Sequence, residues 1–361
     1  MMGSVVPKTG TILRSKAWIV PAVLIIAVII LRIMLPHIVL SYVNRTLDET
    51  DGYRGRVEDI DIHLWRGSYT INGLTLEKTD GEVPVPLIDV ARIDLSVQWS
   101  EIFQGALVGD ITFFGPELNF VKGPTDESSQ TELPASWIEA TENLFPFSIN
   151  ELNAVNGTIH YRDFHSDPEI DIFMDNVYLH ATNLTNSRSV SQSKFAKIML
   201  YNRPAKGDPE VKVTVDLDTF AAAPTFEMKF LLNDLALTRL NDFLRAYGNF
   251  DVQSGTFSLY SEVSAAEGSF EGYVKPLFKD LDVVSWKEDK DPLELAWEAI
   301  VGAAGTILEN PASGRVATRI PISGDFEQQD IGYWTAIGNL LRNAFIQAIS
   351  PGFQNIGERD G

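Results

Sequence analysis

One stretch of this chain gathers side chains able to hold a metal ion or move a proton: IHYRDFHSD, with His160, Asp163, His165 and Asp167. Its pattern is extended, and on a strand His160 and His165, an odd number of positions apart, project from opposite faces. That spacing suits a polar surface strand better than a ligand set. There is no Gly-rich phosphate loop ending in Gly-Lys-Ser/Thr, no Gly-x-Ser-x-Gly elbow and no His-Glu-x-x-His pair. Cysteine is absent, which removes thiolate nucleophiles, thiolate metal sites and disulfides. The 49 acidic residues leave room for two carboxylates to meet from distant segments, as in glycoside hydrolysis, but abundance alone identifies no pair. The residues therefore read as a non-enzymatic protein with no cofactor and no metal, a hydrolase being the weakest alternative.

Charge is divided by position. The first forty residues hold Lys8, Arg14, Lys16 and Arg32 and no acid, so residues 41–361 contain all 49 Asp and Glu against the remainder of the 29 Lys and Arg. Such a body is a poor partner for nucleic acid, whose phosphates need clustered cations. Residues 17–40 form an apolar run interrupted by Arg32, and as a helix they would reach roughly 36 Å, enough for about 30 Å of hydrocarbon. Arg32 lies near one end and can snorkel to the headgroups. Basic residues at 1–16 predict a cytoplasmic N-terminus and an exported body. The bulky ILRIMLPHIVL after the apolar core offers no small-x-small cleavage site, which favours a retained anchor over a cleaved signal. An exported chain without cysteine points to a bacterial periplasm.

Beyond the anchor the helical pattern is expected to run to Asp51-Gly52, after which the period becomes two. Ile60 and Ile62 alternate with acids, Ile93, Leu95, Val97 and Trp99 follow the same rule, and so do Ile111 with Phe113 and Leu118 with Phe120. A short element recurs, in NGLTL at 72–76, NGTIHY at 156–161 and SGTFSLY at 254–260, with looser copies GDITF at 109–113 and EGYVK at 271–275. Glycine there permits positive φ for a hairpin turn or a bulge. The expected fold class is mainly β (α+β): an elongated, curved antiparallel sheet assembled hairpin by hairpin, with marginal amphipathic helices at 134–145, 235–247, 293–308 and 331–349. Polar linkers lie at 122–133, 185–194 and 202–209. The first is the best internal boundary, although similar strands on both sides favour one body over 41–361.

An apolar sheet face has two readings: a surface packed by the protein's own helices, which alternation alone favours, or an open groove for acyl chains. The second gains from a resemblance. GYRGRVEDIDIHLWRGSYTINGLTLEK, PLIDVARIDLSVQWSEIFQGALVGDITFFGPELNFV, FSINELNAVNGTIHYRDF, LNDFLRAYGNFDVQSGTFSLYSEVSAAEGSFEGYVKPLFKDLDV and the closing TRIPISGDF with LLRNAFIQAISP resemble, in order and number, the DUF748 proteins of the bacterial AsmA-like superfamily. The resemblance implies an inner-membrane-anchored periplasmic protein whose β-sheet curls into an apolar groove, serving phospholipid binding or transport and outer-membrane homeostasis. About sixteen strands would extend only about 75 Å, short for a complete bridge across the periplasm. Under this reading the groove lining is expected to include Ile93, Leu95, Val97, Ile111, Phe113, Ile159, Tyr161, Phe257 and Leu259. The alternative is a membrane-tethered scaffold that binds another envelope protein through strand edges or the terminal helix and has no lipid site.

Overall fold

The computed structural model describes residues 19–48, 52–63, 67–79, 83–97, 108–125, 128–130, 148–184, 195–221, 223–248, 250–285, 315–317 and 319–326. The helical patterns at 134–145, 293–308 and 331–349 and the linker at 185–194 lie outside the described residues.

The first element is α1 (Ile19–Asp48), a helix of 30 residues long and apolar enough to cross a membrane. The described helix runs to Asp48, residues 49–51 of the expected end lie outside the described residues, and Gly52 has φ +75°. Its two parts differ. The large apolar side chains from Ile19 to Met34 are 50–65% exposed, whereas Val39, Leu40, Val43 and Leu47 pack against the sheet. The anchor expected over 17–40 therefore overlaps, in its last two residues, with the part that docks.

Thirteen strands form one curved sheet in sequence order. They are β1 (Tyr53–His63), β2 (Ser68–Lys78), β3 (Ile88–Val97), β4 (Val108–Val121), β5 (Ser148–Asp163), β6 (Ile170–Leu184), β7 (Phe195–Asn202), β8 (Glu210–Asp218), β9 (Phe226–Ala236), β10 (Phe250–Ala266), β11 (Ser269–Ser285), β12 (Arg315–Ala317) and β13 (Ile320–Asp325). Both β12 and β13 pair with β11, so the path is twelve strands long, about 55 Å against the roughly 75 Å that sixteen would give. One junction breaks the hairpin rule. β4 and β5 are parallel, with Val108 level with Ser148 and Val121 level with Arg162.

The recurring glycine element does not make hairpin turns. Gly73 (φ +63°), Asn156 (φ +58°) and Gly255 (φ +136°), one from each strict copy, lie inside strands, while Gly109 and Gly272 of the looser copies have no positive φ. Gly115 (φ +58°) and Asn176 (φ +54°) complete a row across β2–β6, since Gly73 sits level with Ala91, Ala91 with Gly115, and Gly115 beside Asn156. Along each strand the buried positions change parity at this row: Ile71 then Leu74, Val90 then Ile93, Met174 then Val177. Residues from both sides of it, Val57, Ile60, Ile71 and Leu74 among them, nevertheless join one cluster with Leu47 of α1. The row thus inserts one position per strand and keeps a single apolar face through a bend, as β-bulges do. Asp234 (φ +54°) in β9 and Asp280 (φ +52°) in β11 act likewise.

Two strands stop short. β7 and β8 have 8 and 9 residues where β5 and β6 have 16 and 15. Over the space beyond their turn lies a 3-10 turn (Leu237–Leu240) that runs into α2 (Asn241–Gly248), which contacts β10 and β6. Arg239 pairs there with Asp208 of the β7–β8 turn, and that guanidinium holds the Asp208 carboxyl below its ordinary range. The helix expected at 235–247 is this pair of elements.

Candidate functional site

Among the described residues the apolar face is buried in three places: under each of the two helices, and in a cluster on β6–β10 that includes Ala181, Ile198, Val215 and Met228 and that neither helix covers. At the first, α1 runs antiparallel to β1: Leu47 rests on Gly55, where a β-carbon would come within 2.7 Å of the leucine's own Cβ. One turn earlier, Asn44 takes the Val57 N–H on Oδ1 at 2.7 Å and donates Nδ2 to the Val57 carbonyl at 3.0 Å. A carboxamide is thereby used as a strand partner for the free edge of β1. Beneath lie Ile93, Leu95 and Ile111. At the second corner Leu237, Leu240 and Leu244 cover Val252, Phe257 and Leu259, and the Phe257 ring stands 4.9 Å from that of Phe278. Five of the nine sequence-derived lining positions, Ile93, Leu95, Ile111, Phe257 and Leu259, are therefore 0–4% exposed and covered by the protein's own side chains.

The other four lie at the margins or between the corners. Val97 ends β3 and Phe113 borders the α1 cluster, both half-buried. Ile159 and Tyr161 sit on β5 in the open middle. Register places Leu118 and Met174 on either side of Ile159, and Phe120 and Ile172 on either side of Tyr161. Towards the opposite rim, Leu152 of β5 and Leu179 of β6 continue the strip, again half-buried. Alternation in β4 had shown Leu118 and Phe120 as apolar without marking them as lining. The β6 residues were hidden because IDIFMDNVYLH slips phase at Asn176, and the Asp-Asn pair there was the available signal.

At the far rim the strip ends in polar groups. Tyr247 of α2 donates its hydroxyl to Asp163, whose other oxygen accepts the backbone N–H groups of His165 and Ser166 at 2.9 and 3.1 Å. The Lys122 ammonium stands 4.4 Å from the centroid of the Tyr247 ring. Burial first, then the neighbouring Asp163, pushes the Tyr247 hydroxyl well above its ordinary pKa, and burial raises Tyr161 as well. Asp163 is thus a turn-capping and helix-tethering residue. His160 points to the opposite face, its Nδ1 2.7 Å from Asp171, and His165 and Asp167 are exposed. No group of three metal-ligating side chains occurs among the described residues.

The opposite face is polar. Thr70 donates to Asp94 at 3.0 Å, Asn150 to Asp110 at 3.1 Å, and Lys197 pairs with Asp216 at 3.1 Å. Among the described residues of the body, the exposed large apolar side chains are Phe173, Phe195 and Met199, all on β6 and β7.

No protein-family model matches the chain, and no curated protein matches it.

Proposed function

We propose that this chain is an AsmA-like, membrane-tethered protein that binds phospholipid acyl chains along the half-open strip on β4–β6, with its sheet in the bacterial periplasm and its N-terminus cytoplasmic. The observation that carries the reading is the contrast in cover. Two helices and the buried cluster on β6–β10 close much of the apolar face, while Leu118, Phe120, Ile159 and Tyr161, with Ile172, Met174, Leu152 and Leu179 at the margins of those clusters, stay only partly buried. Apolar side chains left open in a row favour an apolar ligand, at about 0.8 kcal/mol per methylene removed from water. The path also fits. α1 leaves the sheet towards the rim where β1 ends and β2 begins, so a bilayer around Ile19–Met34 would face the Leu152 end of the strip. The proposal assigns no reaction and no cofactor to the chain.

Mass spectrometry of lipid retained by the purified full chain tests it. The wild-type chain should carry phospholipid, and Ile159→Asp or Leu152→Asp should lower retention several-fold with circular dichroism unchanged, since a half-exposed carboxylate can stay hydrated. Full retention in both variants would sink the reading.

A second reading, a tethered scaffold for another envelope protein, draws on Phe173, Phe195 and Met199, which expose apolar surface on the polar face. Under it, Phe195→Ser with Met199→Ser weakens partner capture and leaves lipid retention unchanged.

A further inference from the structure

Along α1 lies a shallow, solvent-open cavity lined by His37, Leu40, Ser41, Asn44, Arg45 and Asp48. His37, Ser41 and Arg45 follow one another at intervals of four and so share one side of the helix. Val39, Val43 and Leu47 occupy a different side and face the sheet. The cavity therefore lies alongside the docked part of α1, beyond its exposed apolar part.

Its polar groups can be accounted for one by one. Asn44 uses both ends of its carboxamide on Val57. Asp48 faces the Arg54 guanidinium at 3.9 Å. His37 has Nδ1 3.2 Å from the Ile33 carbonyl. The Arg45 guanidinium and the Ser41 hydroxyl have no side-chain partner among the described residues. What remains is a cation and a hydroxyl next to a carboxylate that is already paired, in a chain of net charge −20 that would otherwise repel anions. A guanidinium with a hydroxyl beside it is suited to phosphate oxygens.

We propose that this cavity binds the phosphate of a phospholipid headgroup, with Arg45 as its ion-pair partner and Ser41 as a hydrogen-bond donor. The site holds the headgroup of a lipid drawn out past Met34, roughly 16 Å along α1, while the acyl chains reach the strip on β4–β6. It rests on the lipid-binding reading and adds to it a point of headgroup selection. An arginine in the last turn of a helix also complements the helix dipole, and the test separates the two roles.

The full chain, purified in neutral detergent, is incubated with mixed micelles of phosphatidic acid and the diacylglycerol of the same acyl composition, and retained lipid is counted by mass spectrometry. The wild-type chain is expected to enrich phosphatidic acid about tenfold, the scale of a charge-assisted contact. Arg45→Gln combined with Ser41→Ala should bring the ratio near one with total lipid unchanged, and Arg45→Lys should keep most of the preference. A double variant that keeps the tenfold ratio overturns the proposal and leaves Arg45 a dipole partner only. Equal retention of both lipids by the wild-type chain also overturns it, while the lipid-binding strip stands. A wild-type chain that holds neither lipid overturns both.

Discussion

The two corners of the apolar face are built on the same local plan and put to different ends. Asn44 and Asn241 each bond both backbone groups of a valine, Val57 and Val252, and each is followed three residues later by a buried leucine, Leu47 and Leu244. Each helix then leads into an antiparallel pair, β1–β2 or β10–β11. Beyond the clamp they diverge. α1 is 30 residues long and its Ile19–Met34 part is an exposed apolar rod, whereas α2 has 8 residues, carries Asp242 and Arg245, and covers the gap above β7 and β8. The clamp fixes a helix to a strand. What the helix does next is decided by residues outside the clamp.

The comparison can be broken most forcefully at the leucines. Leu47→Ala and Leu244→Ala should each cost about 2–5 kcal/mol, measured by chemical denaturation of the full chain in detergent. Hydrogen exchange should show each loosening only its own strand, β1 or β10. Leu244→Ala exposing β1 amides would show the corners to be one cooperative unit. The clamps come next. Asn44→Ala and Asn241→Ala should each cost about 1–3 kcal/mol by stranding a backbone donor and an acceptor, with faster exchange at Val57 and Val252 respectively.

Alkaline pH offers a smaller contrast. Burial raises Tyr69 near α1, and burial with Asp163 raises Tyr247 on α2. Above about pH 10 an unfolded tyrosine ionises while these two stay protonated, so the folded state holds more protons and stability falls as pH rises. Tyr247→Phe should remove the α2 share of that loss and keep the share due to Tyr69, read from the slope of stability between pH 9 and 11. The smallest effect is expected between the corners. Asn156→Gly should change stability by no more than about 0.5 kcal/mol, because glycine accepts the same φ, whereas Asn156→Val should cost about 1–2 kcal/mol.

Local pattern carried much of this architecture. The run from Ala17 announced α1, alternation from Ile60 onward announced the strands, and the leucines from Leu235 to Leu244 announced α2. Cover did not show in the pattern. Alternation makes Ile93 and Ile159 equally apolar, yet one lies beneath α1 and the other is half-open, because the docking of Leu47 on Gly55 is a contact between separate elements. The parallel join of β4 to β5 was equally hidden, since pairing direction depends on where the intervening chain returns. Asn-Gly at 72–73 and at 156–157 marked positive φ correctly but did not distinguish a bulge from a turn.

That row of bulges also sets a frame for the chain. Loss of the single residue Asn156 would shift everything after it in β5 by one position and exchange Ile159 and Tyr161 for His160 and Arg162 on the apolar face, at a stroke closing the strip with charge. Natural variants of this sequence are therefore expected to change length in loops such as 202–209. Within the strands they should do so only when neighbouring strands gain or lose a residue together.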